Sequence, residues 1–271
     1  MHIDITNVVI EIITKIRNKN ILLSIMTTPQ IIFIIPYRDR EEQLHFFQRQ
    51  ITYLLEDYVE GTYKILFIHQ CDERSFNRGA LKNIGFLVVK DLFPDTYATI
   101  TLVFNDIDTT ANRKNDLDYK TIQGTVKHFY GFPFALGGIV SINAKDFEQV
   151  NGFPNFWAWG YEDNLLQKRI LNHRIDIDRS QFHKLMDPRI IHLNESINRV
   201  VNRGEYNRFI QNSTEGITHI HNLEYTLDDS THFVNVTKFD TEYQENMRLQ
   251  RSYDITKSRT PFGKNKMSML L

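Results

Sequence analysis

The chain has 271 residues, 41% of them apolar, which suits one large domain or two small ones with a real core. Its 32 basic and 33 acidic residues leave a net charge of −1. Recognition of nucleic acid or anionic membrane by bulk charge is thereby excluded, and partners must be chosen by a site.

Residues 1–30 mix Asp4, Glu11, Lys15, Arg17 and Lys19 with apolar residues. Val8, Ile12, Ile13 and Ile16 fall on one helical face, so the stretch reads as an amphipathic extension lying on the domain. It holds no run near the roughly 18 apolar residues of a spanning helix, and no basic start leads to a cleavage site. The single cysteine, Cys71, cannot form an internal disulfide and reads as a buried or half-buried thiol. The expectation is a soluble, cytoplasmic protein without a transmembrane anchor.

"QIIFIIPYRDR" (30–40) has the continuous apolar run of a buried strand, ending at Pro36 in a charged turn. Leu44, Phe47, Ile51, Leu54 and Leu55 then recur at helical spacing through residue 59. "TYKILFIHQ" (62–70) is a second strand, "NRGALKNIGFLVVKDL" (77–92) a second helix and "YATITLVFNDID" (97–108) a third strand. Strand and helix alternate as in βαβ units, and open sheets of that kind bind ligands beyond the carboxyl ends of their strands. Pro36–Arg40, His69–Arg78 and Asp106–Asp108 all fall at such ends. Asp106 and Asp108 are either a surface turn or a divalent-cation motif, and the residues alone leave both open.

The second half changes character. "FALGGIVSINAKDFEQVNGFP" (134–154) reads as a glycine-led strand and a helix capped by Asn143. "FWAWGYEDNLLQKRILNHRI" (156–175) is an aromatic loop entering a helix. Short strands and polar loops follow Met186, and residues 246–271 read as a loose tail. The sequons at Asn194, Asn212 and Asn235 read as chance.

Taken together, these stretches resemble the β-1,4-galactosyltransferases, inverting enzymes of GT-A fold, and in feel their xylosylprotein-type members most of all. "IIPYRDREEQL" is similar to that family's "IIPFRNR…L", and "FNRGALKNIGF" to its "FNRAxLxNVGF". "NDIDTT" stands where the family has its Asp-Val-Asp metal motif. "GGIVSINAKDFEQVNGFPNFWAWGYEDNLLQKRI" is similar to the long block that ends in "WGWGGEDDD", and "RIIHLNE" stands where a metal-binding histidine is expected. Order and spacing agree from about residue 31 to about 240. The resemblance implies an α/β GT-A fold, with a Rossmann-like mixed sheet flanked by helices in a single domain over 31–245. Residues 1–30 and 246–271 flank it.

The resemblance also implies a chemistry. The family transfers a hexose from a UDP-sugar to a hydroxyl, so partners are a UDP-sugar and a glycan or glycoconjugate acceptor. The leaving diphosphate needs its charge stabilised by a divalent cation. By the resemblance Asp108 is a direct ligand, Asp106 binds the ribose or orients the metal's water, and His192 adds an imidazole that favours Mn²⁺ over Mg²⁺. Where the family has further ligands this chain has Arg189, which cannot ligate, and Asn194, which offers an amide oxygen. Pro36, Arg38, Arg40, Phe76, Arg78, Asp106 and Ile107 would bind the nucleotide. Gly138, with Gly137, would let the backbone approach the donor sugar. Asp163 would take the acceptor's proton and Glu162 would bind acceptor or donor sugar.

Trp157, Trp159 and Tyr161 are expected to bury Asp163 partly; the resemblance implies that the stretch around the two tryptophans closes over the donor, where exposed tryptophans would suit sugar faces, and Ala158 sits between them where the family usually has glycine. Ala135 stands where galactose-specific members carry tyrosine, which would leave room for an N-acetyl group. Each residue also has a plainer reading: salt bridges for the arginines, core packing for the tryptophans, helix-start acids for Glu162 and Asp163. The rival functions are a catalytically inactive binder of UDP-sugar or glycan with the same fold, and a metal-dependent hydrolase.

Overall fold

The protein was analysed as a computed structural model that describes residues 28–193, 198–256 and 261–262. The amphipathic helix expected before residue 28 and the ligand expected at Asn194 lie outside the described residues.

The first strand, β1 (Ile31–Tyr37), is buried on both faces. Ile32 and Ile34 enter one core layer, while Ile31, Phe33 and Ile35 enter the other. That two-sided burial is why the run is continuous rather than alternating. Helix α1 (Glu41–Leu54) lays Leu44, Phe47, Ile51 and Leu54 on the second layer. It stops five residues short of the periodic run.

β2 (Tyr63–Gln70) leads to α2 (Arg78–Leu92), whose N-terminus is capped by the Asn77 side chain accepting from the Ala80 amide at 2.9 Å. Most of α2 is buried, which makes it a central helix rather than a surface one. β3 (Thr101–Asn105) starts later than the periodicity suggested, because residues 97–99 form a short 3₁₀ turn.

β4 (Thr109–Ala111), β5 (Thr125–Tyr130) and β6 (Ile139–Asn143) follow, then the short α3 (Ala144–Gln149), capped by Asn143. α4 (Glu162–Asn172), β7 (Asp176–Asp178), β8 (Ile190–His192), β9 (Asn198–Asn202) and α5 (Arg203–Ile210) come next. The hairpin β10 (His221–Asp228) and β11 (Phe233–Asp240) and the strand β12 (Gln250–Asp254) are the remaining elements among the described residues.

Eight strands form one mixed sheet in the order β10-β11-β2-β1-β3-β6-β5-β7. The pairings β11–β2, β2–β1 and β1–β3 are parallel; β3–β6 and β6–β5 are antiparallel. The carboxyl ends of β1, β2 and β3 therefore share one edge, as the motif positions require. Two small sheets, β4–β8 and β9–β12, stand outside the large one.

Four expectations change. Cys71, read as a buried or half-buried thiol, is exposed. Trp157 is not an exposed sugar platform. It is fully buried and stacked on Phe239 at 5.5 Å, and its indole N–H donates to Thr241 Oγ1 and to the Tyr243 carbonyl. After Met186 there is also a helix, α5, and Gln250–Asp254, in the stretch read as a loose tail, pair with β9. Among the described residues no helix is long and apolar enough to cross a membrane.

Candidate active site

A cleft of about 430 Å³ opens at the shared strand edge. Its walls include Pro36, Arg38, Arg40, Phe76, Arg78, Asp106, Ile107, Asp108, Trp159 and Glu162. The nucleotide residues expected from the sequence thus line one cavity.

The β1 end supplies the two arginines. Asp39, between them, adopts a left-handed backbone (φ 52°), a conformation that aspartate tolerates better than most residues. Arg38 Nη1 donates to the Arg74 carbonyl at 2.6 Å and its guanidinium lies 5.4 Å from the Phe76 ring centroid. Arg40 Nη1 lies 3.4 Å from Asp108 Oδ2. The β2 end is held by buried Gln70, whose amide donates to Asp72 Oδ1 and accepts from the Asn77 amide. That loop fixes Phe76 and starts α2 at Arg78.

Arg78 gathers the acids. Its Nη1 donates to Asp106 Oδ2 at 2.8 Å, its Nε to Glu162 Oε1 at 2.8 Å, and its Nη2 to Asp163 Oδ2 at 2.7 Å. The first acidic pair and the carboxylates after the aromatic loop, more than fifty residues apart in sequence, are thereby within the span of one guanidinium. Lys82, one helical turn further along α2, places Nζ 3.4 Å from Asp163 Oδ1 and 3.7 Å from Asp106 Oδ1.

Burial alone would raise the Asp106 carboxyl, but Arg78, with Lys82 and Arg40 adding, holds it below the usual carboxylate range. At Glu162 burial wins over Arg78 and pushes the carboxyl up. Arg78 itself stays charged: three carboxylates overcome the cost of burying it.

The glycine pair acts on the protein's own groups. A Cβ at Gly137 would lie 2.2 Å from Asp163 Oδ2, so its absence is what admits the carboxylate. Gly138 (φ 70°) lets its carbonyl accept from the Asp106 amide at 3.1 Å, and a Cβ there would meet the Tyr130 carbonyl at 2.4 Å. Gly138 shapes the acidic turn from behind and is not on the cleft wall.

The Asp108 side is closed by β8. Thr109 pairs with His192, and the Leu193 amide donates to the Asp108 carbonyl at 2.8 Å. His192 Nε2 then lies 3.9 Å from Asp108 Oδ2, and the ring's Nδ1 lies 3.4 Å from the Tyr130 hydroxyl. Two carboxylates and an imidazole are an appropriate donor set for Mn²⁺ or Mg²⁺. Asp106 Oδ1 and Glu162 Oε2 are buried without a hydrogen-bond partner, leaving acceptor capacity at the acidic floor. Among the described residues no three His, Cys, Asp or Glu converge in ligating geometry. Such sites commonly keep one or two carboxylates and take their remaining oxygens from water and substrate phosphates, so the residues fit.

At the start of α4, Tyr161 has φ 75° and its ring stacks on Phe209 at 5.0 Å. This left-handed step, which costs roughly 1–3 kcal/mol for a non-glycine residue, turns the helix so that Glu162 and Asp163 face Arg78. The Trp159 amide donates to the Val200 carbonyl at 2.9 Å, tying the aromatic loop to β9.

Several lining residues carry no motif signal: Asn198, Arg199 and Val200. β9 is held at the cleft by its pairing with β12 and by the Trp159 amide, among other contacts. Lys82 is different. Its spacing from Arg78 on a helix that was legible in the sequence puts both on one face, and that signal was missed.

Two family models match the chain. One, described as the N-terminal region of glycosyl transferase group 7, covers residues 23–120; the other, described as the N-terminal domain of galactosyltransferase, covers residues 125–196. Similar curated proteins include a xylosylprotein 4-β-galactosyltransferase of Caenorhabditis elegans, 31% identical over 156 residues, which are 54% of this chain and 52% of that protein. Another is β-1,4-galactosyltransferase 4 of Cricetulus griseus, 30% identical over 158 residues, 54% of this chain and 44% of that one. The chain spans about half the length of the curated relatives it matches. The catalytic domain of Drosophila β1,4-galactosyltransferase 7 in complex with xylobiose has a TM-score of 0.58 at 21% identity, covering 78% of this chain and 94% of that one. A mutant of that enzyme in complex with manganese, UDP-Gal and xylobiose gives 0.57 at 20%, with the same coverage. These two likenesses speak to the fold.

Proposed function

Because the chain belongs to the β-1,4-galactosyltransferase family, we propose that it is an inverting, divalent-cation-dependent transferase. It moves a hexose or N-acetylhexosamine from a UDP-sugar to a hydroxyl of a glycan acceptor. The observation that carries this is the Arg78 fork: one guanidinium joins Asp106 of the acidic turn to Glu162 and Asp163. A proton acceptor thus stands next to the place where a sugar diphosphate would be held.

A bound Mn²⁺ or Mg²⁺ would supply Lewis-acid stabilisation of the leaving diphosphate, held by Asp108 and His192 with Asp106 beside them. Arg38, Arg40 and Arg78 offer fixed donors to the diphosphate or a stacking face to the base. Phe76, already beneath Arg38, offers an apolar face to uracil. Asp163 takes the proton of the acceptor hydroxyl as that oxygen attacks the anomeric carbon from the face opposite UDP, which inverts it. Glu162, whose carboxyl is pushed up by burial, hydrogen-bonds a sugar hydroxyl.

The Drosophila complex with manganese, UDP-Gal and xylobiose suggests the first probes. Ala135 adds a donor choice. It precedes Leu136, whose amide donates to the Asp163 main-chain carbonyl at 3.0 Å, so the backbone that carries Ala135 runs beside the start of α4. With alanine at that position the donor set extends to UDP-GalNAc and UDP-GlcNAc. UDP release is to be measured across UDP-Gal, UDP-GalNAc and UDP-GlcNAc, with and without Mn²⁺ and with an acceptor array. Release that needs both metal and acceptor is expected. Binding without turnover would favour the inactive-binder reading, and release indifferent to acceptor would favour a hydrolase.

A further inference from the structure

Helix α2 presents two cations to the acid cluster, Arg78 and Lys82, four residues apart on one face. They differ in access. Arg78 lines the cleft, whereas Lys82 is 1% exposed and does not reach it. A buried ammonium is costly unless it is paired. Lys82 is compensated by Asp163 and Asp106, at 3.4 and 3.7 Å, and by the Phe153 ring, whose centroid lies 4.5 Å from Nζ. On α2 its neighbours are Leu81 and Asn83, with Arg78 one turn before it, and its charge is met from outside the helix by the two carboxylates.

The charge count explains it. Asp106, Glu162 and Asp163 share the single guanidinium of Arg78. A donor diphosphate entering the cleft competes for that same guanidinium. If Arg78 turned to it and Lys82 were absent, Asp106 would keep only the weaker influence of Arg40 and His192, and Asp163 would lose the second cation beside it, so the close carboxylates would repel one another in a poorly screened site. We propose that Lys82 is a positioning residue for the transfer reaction, a buried counter-ion that keeps the Asp106 and Asp163 carboxylates side by side while Arg78 engages the donor. The inference rests on the reading of Asp163 as the base. Arg78, at the surface of the cleft, serves the ligand; Lys82, beneath it, serves the acids.

The test uses Lys82→Met and Lys82→Gln, with folding checked by circular dichroism and melting. Steady-state kinetics are measured with UDP-sugar, Mn²⁺ and acceptor. Binding is followed separately, by loss of the free Mn²⁺ electron-paramagnetic-resonance signal and by calorimetry with UDP. The expected result is a kcat lowered at least thirtyfold, with donor KM and the Mn²⁺ and UDP affinities within threefold of wild type. If the Met variant fails to fold, the Gln variant, which keeps a polar end, carries the same expectation. A folded variant with wild-type kcat overturns the proposal, as does a parallel loss of kcat and of Mn²⁺ and UDP binding, and so does failure of both variants to fold. A wild-type chain that binds neither UDP nor Mn²⁺ and turns over no UDP-sugar overturns the transferase reading itself, which separates the two failures.

Discussion

Asp163 owes its place to a missing atom. Gly137 has no Cβ, and the space is taken by the Asp163 carboxylate, which Arg78 and Lys82 then hold. Asp163→Asn keeps the shape and removes the proton acceptor. It should lower kcat by about 10²–10⁴-fold while Mn²⁺ and UDP binding persist, as stopped assays and calorimetry would show. Gly137→Ala should act on the same carboxylate from the other side, because the added carbon would lie 2.2 Å from Oδ2. A kcat loss with donor KM little changed is expected. A Gly137→Ala enzyme as fast as wild type would mean that Asp163 need not sit where the structure has it.

The aromatic loop between α3 and α4 divides its two tryptophans between different tasks. Trp157 is a core residue: it stacks on Phe239, and the Arg74 guanidinium lies 4.6 Å from its ring. Trp159 lines the cleft and is tied to β9 through its amide. Trp157→Ala should therefore cost about 3–5 kcal/mol of stability, read as a lower denaturant midpoint. Trp159→Ala should leave the midpoint nearly unchanged and raise donor KM. α4 begins with Tyr161 in a left-handed conformation, packed on Phe209 of α5, so α5 is part of what aims the acids.

Across the molecule, β5 carries a buried histidine that couples stability to pH. His128 Nε2 lies 3.1 Å from the Tyr130 carbonyl, and its Nδ1 lies 3.2 Å from Arg179 Nε, so the neutral ring is what fits. Burial and then Arg179 push its pKa down to about 4. The unfolded chain takes up that proton near pH 6.5 and the folded chain near 4. This group therefore removes stability as pH falls through that window, about 3 kcal/mol in all. Melts from pH 7 to pH 4 should show the decline. His128→Gln should start lower at pH 7 and show a shallower slope. Ligand linkage supplies a second whole-chain measurement. UDP with Mn²⁺ at a hundred times the dissociation constant should add about 2.7 kcal/mol to folding stability and raise the melting temperature. UDP with a chelator should add much less.

The three parallel strands, the helices between them and the acidic turn could be read along the chain because local rules place them. Continuous apolar runs mark strands buried on both faces, helical spacing marks α1 and α2, and the strand ends mark the cleft. Asp106, Asp108 and the arginines could be picked out because they stand just beyond those ends, whereas Glu162 and Asp163 at the start of α4 and His192 on β8 could be picked out only through the motifs that hold them. Other features depend on distant partners that no local pattern announces. β9 forms part of the cleft because β12, some fifty residues later, pairs with it. Trp157 is core and Trp159 is wall because Phe239 covers one of them. Lys82 sits with Asp106 and Asp163 because strand and helix ends far apart in the chain converge there. Periodicity records which way a side chain points from its own element; what waits there is set by the packing of the others.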